Sequence, residues 1–426
     1  MDRAAALARN PFVLWAAFVL VHLWLGLLNF TAPGLPLGDV TLVYKFWMDQ
    51  ALVANFWVGI DSVWVYPIVA LVPMLAAYAF GPDFYASTWL TMVMLLNVVA
   101  FGVLTGWGRS RERVTAGWWW VGFLLLLGPI ALARIDSISV PIAIVAVLLL
   151  ATRPGLAGVL LTIATWIKVW PAALIAAAVI ALRERLRVVA AVLIASAVVM
   201  LTALFIGAGG NILSFITQQT GRGLQPEAPI STAWMWMALA GVPGAEVTYD
   251  RAILSFAVTG PGADVAIAWM TPVLALAALA VVLLGIRAAR AGASAHDLLP
   301  PLALGLTVCL IAFNKVGSPQ FIGWLAAPIL LGLVTHAAGT GRSFRTPAIL
   351  GLAIAALTQT IYPYLYTALL LLHPLMVSVL TVRNLLEFVL LGWAVHAVVT
   401  SPARVGDEVE AWLPGVWPFA REHDRL

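Results

Sequence analysis

The stretch RERLRVVAAVLIASAVVMLTALFI, residues 183–206, decides the fold. Three arginines, Arg183, Arg185 and Arg187, stand directly before Val188 to Ile206, nineteen residues without a single charge. As a helix rising about 1.5 Å per residue, such a run crosses the roughly 30 Å hydrocarbon layer of a bilayer. No water is present there to bond a free backbone, so the run has to be helical. The arginines mark the cytoplasmic end of the span by the positive-inside rule.

The rest of the chain repeats this pattern in both directions. Of its 426 residues 63% are hydrophobic and 10% charged, with a mean hydropathy of +1.01, more than a soluble core of this length could hide from water. The runs of Ala, Leu and Val lack the period-two alternation of an outer-membrane barrel. Counting back from Arg183 gives spans near 170–182, 155–167, 138–150, 115–133 and 85–107. Counting forward gives 188–206, 264–286, 297–313, 321–337, 346–368 and 375–399. A first run over 12–29 follows Arg3 and Arg9 and has no small-residue cleavage site, so it reads as an uncleaved first span.

The expectation is an all-α polytopic transmembrane helix bundle with about twelve crossings. It forms one domain over residues 1–426, without internal repeats, and a tail over 400–426 returns to the cytoplasm. The basic loops at 109–113, 183–187, 287–290 and 342–345 are then all cytoplasmic. The count requires the apolar stretch 64–80, with Pro67 and Pro73, to bend without crossing. Residues 31–84 become a long first external loop, with an interfacial amphipathic helix over 41–58. Residues 207–250 form a second large external loop. The spans at 138–150 and 155–167 fall short of the roughly 20 residues a perpendicular crossing needs, and short spans leave a cavity.

One cysteine, Cys309, lies inside an apolar run, so neither a disulfide framework nor a thiol cluster is available. No metal-ligand set is visible, and no metal or other cofactor is expected. All three lysines, Lys45, Lys168 and Lys315, fall on the external side, against the positive-inside trend. Each could simply snorkel to the interface. Their grouping with external Arg134, Arg222 and Arg251 points instead to a shared anionic ligand, a phosphate at the membrane surface.

Asp39 closes Pro36-Leu37-Gly38-Asp39 at the start of the first external loop, with Tyr44 and Lys45 just beyond. It is placed to be a general base or to cap the helix that follows. Asp136, in Arg134-Ile135-Asp136-Ser137, lies between two spans, where it can meet a ligand, pair with Arg134 or cap a helix. The second loop carries Gln218, Gln219, Arg222, Gln225 and Glu227, a set suited to a sugar or phosphate site and also to a solvated loop. Asn314-Lys315 and Ser318-Pro319-Gln320 add a third polar edge. Arg383 and Glu387, one helical turn apart within a span, neutralise each other. His373, before Pro374, sits at the external interface.

These residues resemble those of the GT-C glycosyltransferases. The likeness is carried by a long external insertion with an early Asp, by Tyr66-Pro67 within it, by Lys168-Val169-Trp170-Pro171 after a short span, and by a large polar loop after the seventh crossing. Within that superfamily the chain most resembles bacterial polyprenyl-phosphate-mannose-dependent α-mannosyltransferases of glycosyltransferase family 87, including the mycobacterial type that extends phosphatidylinositol mannosides. The resemblance covers most of the chain and departs from the family at two points. Arg134-Ile135-Asp136-Ser137 replaces a small-residue-Gln-x-Asn step, and Ile68 follows Pro67 where a second proline is common.

The resemblance implies an inverting transfer of a hexose, mannose above all, from polyprenyl phosphate to a glycolipid or lipoglycan on the external face of a bacterial plasma membrane. Asp39 is the implied base, and Lys168, Arg222, Lys315 and Arg134 are the donor-phosphate ligands. Tyr44, Lys45, Tyr66, Asp136, Gln219, Gln225, Glu227, Gln320 and His373 are the sugar and acceptor contacts. A monomer in contact with membrane lipids is expected, with no nucleic-acid partner. The alternative is a transporter or flippase that moves a phosphate-bearing substrate past the same cations.

Overall fold

The computed structural model describes residues 10–218, 222–251 and 255–402. Helix α1, Pro11–Thr31, begins where Asn10 Oδ1 accepts from Phe12 N at 2.9 Å with Pro11 in the first turn. A loop and a π-helical turn over Asp39–Tyr44 lead into α2, Lys45–Ala54. Helices α3 (Tyr85–Thr105), α4 (Val114–Leu127), α5 (Asp136–Leu149), α6 (Pro154–Ile167), α7 (Ala172–Ala181) and α8 (Arg185–Phe205) follow. Next come α9 (Thr232–Leu239) and an antiparallel hairpin of β1 (Glu246–Asp250) and β2 (Ser255–Thr259). The chain ends in α10 (Ala263–Arg290), α11 (Ala295–Ala312), α12 (Ala326–Ala337), α13 (Arg345–Gln359) and α14 (Pro374–Val399).

Among the described residues nine helices are long and apolar enough to cross a membrane. Three more, α5, α6 and α7, are apolar but only 14, 14 and 10 residues long. The span over α11 is 83% buried inside the protein, whereas that over α10 is 11% buried although more hydropathic. An apolar helix so little covered by protein needs lipid around it, so α10, like α8 and α1, lies at the rim and α11 at the centre. The stretch 64–80 holds a three-residue 3₁₀ turn, Ile68–Ala70, and a six-residue helix, Leu71–Ala76, too short to cross. Residues 41–58 form the π-helical turn and α2, which bury Tyr44 and Met48 and expose Leu42, Phe46 and Val53.

The basic loops at 109–113, 287–290 and 342–345 adjoin one end. Gly108 packs on Pro11, Trp119 Nε1 donates to Ala348 O at 2.9 Å, Arg342 bonds Thr400 at 3.2 and 3.3 Å, and Ser401 reaches Asp297 O at 3.5 Å. The starts of α1, α4, α11 and α13 and the end of α14 are thereby brought together. At the other end Asn29 Nδ2 bonds Pro129 O at 3.0 Å and Tyr362 Oη bonds Gly34 O at 3.2 Å. One feature departs from the helical expectation. The connection between α8 and α10 contains the β1–β2 hairpin, in which Glu246 pairs with Thr259 and Asp250 with Ser255.

Candidate active site

At the end of the molecule opposite the basic loops lies a cavity of about 720 Å³. Its walls include Asp39, Tyr44, Tyr66, Arg134 and Lys168 from the first half of the chain, and Arg222, Gln225, Glu227, Lys315 and Gln320 from the second. Ten of the fourteen residues expected at a ligand site therefore share one space. Of the other four, Gln219 lies outside the described residues. Lys45 is paired with Asp49 at 2.8 Å, and Asp49 also accepts from Tyr78 at 2.6 Å. His373 is exposed at the start of α14. Asp136 is buried behind the wall. None of these three lines the cavity.

Asp39 is held from across the chain. Arg134 Nε lies 3.0 Å from Asp39 Oδ2, and 39% of the Asp39 side chain stays exposed. The other N–H groups of Arg134 reach Pro36 O, Ala133 O at 2.9 Å and Tyr362 Oη at 3.2 Å. A guanidinium has five N–H donors, so this one has a single donor left for anything else. Tyr362 in turn bonds Gly34 O, and Gly34 needs its φ of +75° and its lack of a side chain there, because a Cβ would stand 2.9 Å from Pro363 O. The loop carrying Asp39 is thus tied down at Gly34, Pro36 and Asp39. The local Arg134–Asp136 pair suggested by sequence is not formed, and the carboxylate that Arg134 meets is Asp39.

Lys168 ends α6 in an extended conformation that turns the chain out of the helix. Its Nζ sits 4.7 Å from the centre of the Tyr66 ring and 5.6 Å from that of Phe321. Two aromatic faces steer the ammonium without neutralising it. Tyr66 Oη is 3.4 Å from Tyr44 Oη, which accepts from Ile135 N at 3.3 Å. Burial pushes the Tyr44 hydroxyl well above the ordinary phenol range, with Tyr66 and Asp39 adding to the rise, so it acts as a hydrogen-bonding group and not as a base.

The far wall joins two loops. Gln225 N donates to Lys315 O at 3.0 Å, Gln225 Nε2 donates to Ser255 Oγ at 2.9 Å, and Ser318 Oγ lies 3.5 Å from Gln225 Oε1. Gly317 makes the approach feasible, since a Cβ there would fall 2.0 Å from Ala228 N. Glu227 is clamped by Arg383 Nη2, 3.3 Å from Oε2 and 3.2 Å from its carbonyl, while Arg383 Nη1 holds Glu387 at 2.7 Å. The Arg383–Glu387 pair read from sequence is therefore a triad. Burial pushes the Glu227 carboxyl up to about 7; Arg383 pulls it down, Glu387 raises it further and Arg134 lowers it. One guanidinium between two buried carboxylates cannot neutralise both. Burial also draws the Lys315 ammonium below the ordinary lysine range.

Four aromatic wall residues, Phe321, Trp324, Tyr362 and Tyr366, carried no signal in the sequence. Trp324 Nε1 donates to Asp136 Oδ1 at 2.7 Å, and Trp170 Nε1 donates to Ser139 Oγ at 2.9 Å. The two indoles stack at 5.6 Å with their planes 6° apart, and Phe321 stacks on Trp324 at 4.3 Å. Tyr362 and Tyr366 complete the aromatic lining. Another part of the wall is apolar, with Met270 and Leu274 from α10 and Leu310 and Phe313 at the end of α11. Since α10 is a rim helix, this part adjoins the lipid. The described residues contain no group of three or more His, Cys, Asp or Glu that could hold a metal ion. No protein-family model, curated protein or solved structure matches the chain.

Proposed function

We propose that the chain is a membrane-embedded inverting glycosyltransferase that moves a hexose, mannose above all, from a polyprenyl phosphate to a glycolipid or lipoglycan acceptor on the external face of the membrane. The observation that carries this reading is the cavity itself. One space holds a partly exposed, rigidly oriented carboxylate (Asp39), a set of cations (Lys168, Arg222 and Lys315) and an apolar wall on a lipid-facing helix. A substrate that is sugar, phosphate and hydrocarbon chain at once meets a fitting surface for each part.

Asp39 takes the proton of the acceptor hydroxyl as that oxygen attacks the anomeric carbon. The bond from that carbon to the phosphate oxygen breaks, polyprenyl phosphate leaves with the electron pair, and the configuration inverts, so a β-linked donor gives an α-glycoside. Lys168, whose ammonium lies near two rings and makes no hydrogen bond or ion pair among the described residues, is the main electrostatic partner of the departing phosphate. Arg222 and Lys315 support it. Arg134, with four donors engaged, positions Asp39 and is not itself a phosphate ligand in this mechanism.

The test supplies membranes containing the protein with labelled polyprenyl phosphate mannose and follows label into lipid products. Transfer is expected, and Asp39→Asn should lower it roughly 10²-fold or more while the protein stays folded. Movement of intact donor across the bilayer without transfer would replace the reading by a flippase, and full activity in Asp39→Asn would remove the base.

A further inference from the structure

The triad of Glu227, Arg383 and Glu387 sets two acids against one base, and each of the three side chains is no more than 3% exposed. Left fully charged, it would bury a net negative charge within and beside a membrane span, a cost that one retained proton removes. The distances divide the two acids. Arg383 Nη1 meets Glu387 Oε1 at 2.7 Å, the length of a charge-assisted bond, whereas Nη2 is shared between Glu227 Oε2 at 3.3 Å and the Glu227 carbonyl at 3.2 Å. The two remaining oxygens differ as well. Glu387 Oε2 is sealed in without a partner. Glu227 Oε1 makes no hydrogen bond among the described residues yet is not sealed in, and the space that Glu227 borders is the large cavity. A proton on Glu387 Oε2 would be a stranded donor, while one on Glu227 Oε1 can bond what fills the cavity. Burial raises the Glu227 carboxyl to about 7, in keeping with that division.

Resting on the transferase reading, we propose that Glu227 bears the proton of the triad and donates from Oε1 to a phosphate oxygen of the bound donor. A sugar hydroxyl can meet either form of a carboxyl, but a phosphodiester oxygen only accepts and so meets the protonated form alone. The neighbouring cations hold a phosphate on the same side. Lys315 stands on the loop joined to residues 225–228, its carbonyl 3.0 Å from Gln225 N. An ionised Glu227 there would compete for those cations and oppose the phosphate, whereas the neutral carboxyl adds a donor and leaves their charge intact. The charged and titratable groups that act on Glu227 are Arg383 and Glu387 on α14, Arg134 before α5, and Tyr362 and Tyr366 between α13 and α14. Lys315, drawn down by burial, is a second cavity group whose charge falls at alkaline pH.

The test measures binding of polyprenyl phosphate mannose to the full chain in nanodiscs at about pH 6 and about pH 8.5. This phosphodiester keeps its single charge across that range, while Glu227 loses its proton as pH rises through about 7. Wild-type affinity should fall on the order of tenfold, the effect of exchanging a charge-assisted hydrogen bond for a like charge. Glu227→Gln, whose amide donates at both values, should show a much smaller fall, and the part due to Lys315 is common to both proteins. Glu387→Gln leaves Arg383 a single carboxylate, so Glu227 ionises and binding should be weak at both values. The infrared difference spectrum of wild type between the two values should carry a protonated-carboxyl band that both variants lack. Equal falls in wild type and Glu227→Gln, tighter binding by Glu227→Gln at both values, undiminished binding by Glu387→Gln at the lower value, or no such band overturns the assignment and leaves the transferase reading standing. No donor binding by wild type at either value overturns the transferase reading, and this assignment with it.

Discussion

Arg134 and Lys168 line the same cavity with the same charge, and their surroundings give them different work. Arg134 faces one carboxylate, two carbonyls and a phenol, so its loss would release the Asp39 loop. Lys168 faces two aromatic rings and the cavity. If Lys168 merely snorkelled, arginine would replace it silently and methionine with little harm. A compact ammonium set between two rings is not replaced by a broad planar guanidinium. Lys168→Arg should already slow transfer, and Lys168→Met should weaken donor binding and slow transfer on the order of 10²-fold, measured with purified protein in nanodiscs. Full activity in Lys168→Met would move the phosphate to Arg222 and Lys315. Glu227 offers a different test. Its folded-state pKa of about 7 lies above the ordinary 4.5, so the folded chain binds the proton more tightly than the unfolded one. The resulting stability is complete below pH 4.5 and is lost as pH rises through 7. Wild type should lose on the order of 1–3 kcal/mol relative to Glu227→Gln between pH 5 and pH 8, seen as a narrowing or reversal of the difference in melting temperature.

At the scale of elements, the long spans were legible because each is an uninterrupted apolar run bounded by arginine, proline or glycine, and water-free surroundings leave such runs one conformation. The hairpin was not. Glu246–Asp250 and Ser255–Thr259 are five-residue strands with a mixed pattern, and among the described residues they form a sheet of two strands beside α9. The candidate site was legible as a set of polar breaks between spans, but its pairing was hidden. Asp39 and Arg134 meet across three helices, and nothing local in either stretch announces the other. Lys45 is the reverse case: Asp49 stands one turn away, so the partner it meets was in plain sight in the sequence. The joint between residues 225–228 and 314–318 rests on one residue. With Ala228 N 2.0 Å from where a Cβ would stand, Gly317→Ala must push the two loops apart, displacing Lys315 and Gln225. We expect a loss of about 1–3 kcal/mol in stability and reduced donor binding. An unchanged melting temperature would show that the loops are not so closely joined.

For the whole molecule, the arrangement of charge gives a direction that experiment can read. Contacts between helix ends place Gly108, Asp297, Arg342 and Thr400 at one end, and the cavity with Asp39 at the other. The first end carries arginine loops, and the proposed external site requires that end to be cytoplasmic and the cavity and the hairpin to face outward. The lone cysteine makes this simple to test, because Cys309 is fully buried in α11 and silent to a membrane-impermeant maleimide. Glu112→Cys reports on the arginine loop between α3 and α4 without removing an arginine, and Thr248→Cys reports on the exposed face of β1. On intact cells Thr248→Cys should react while Glu112→Cys stays unlabelled until the membrane is permeabilised. The opposite pattern would place the cavity inside and make an external donor lipid untenable. Labelling at both positions on intact cells would break the shared-end arrangement. It would then require one of the helices after that loop, the short α5 to α7 above all, to be counted differently, since only a change in the number of crossings from α4 to α12 can put the Arg109–Arg113 loop on the far side from Arg342.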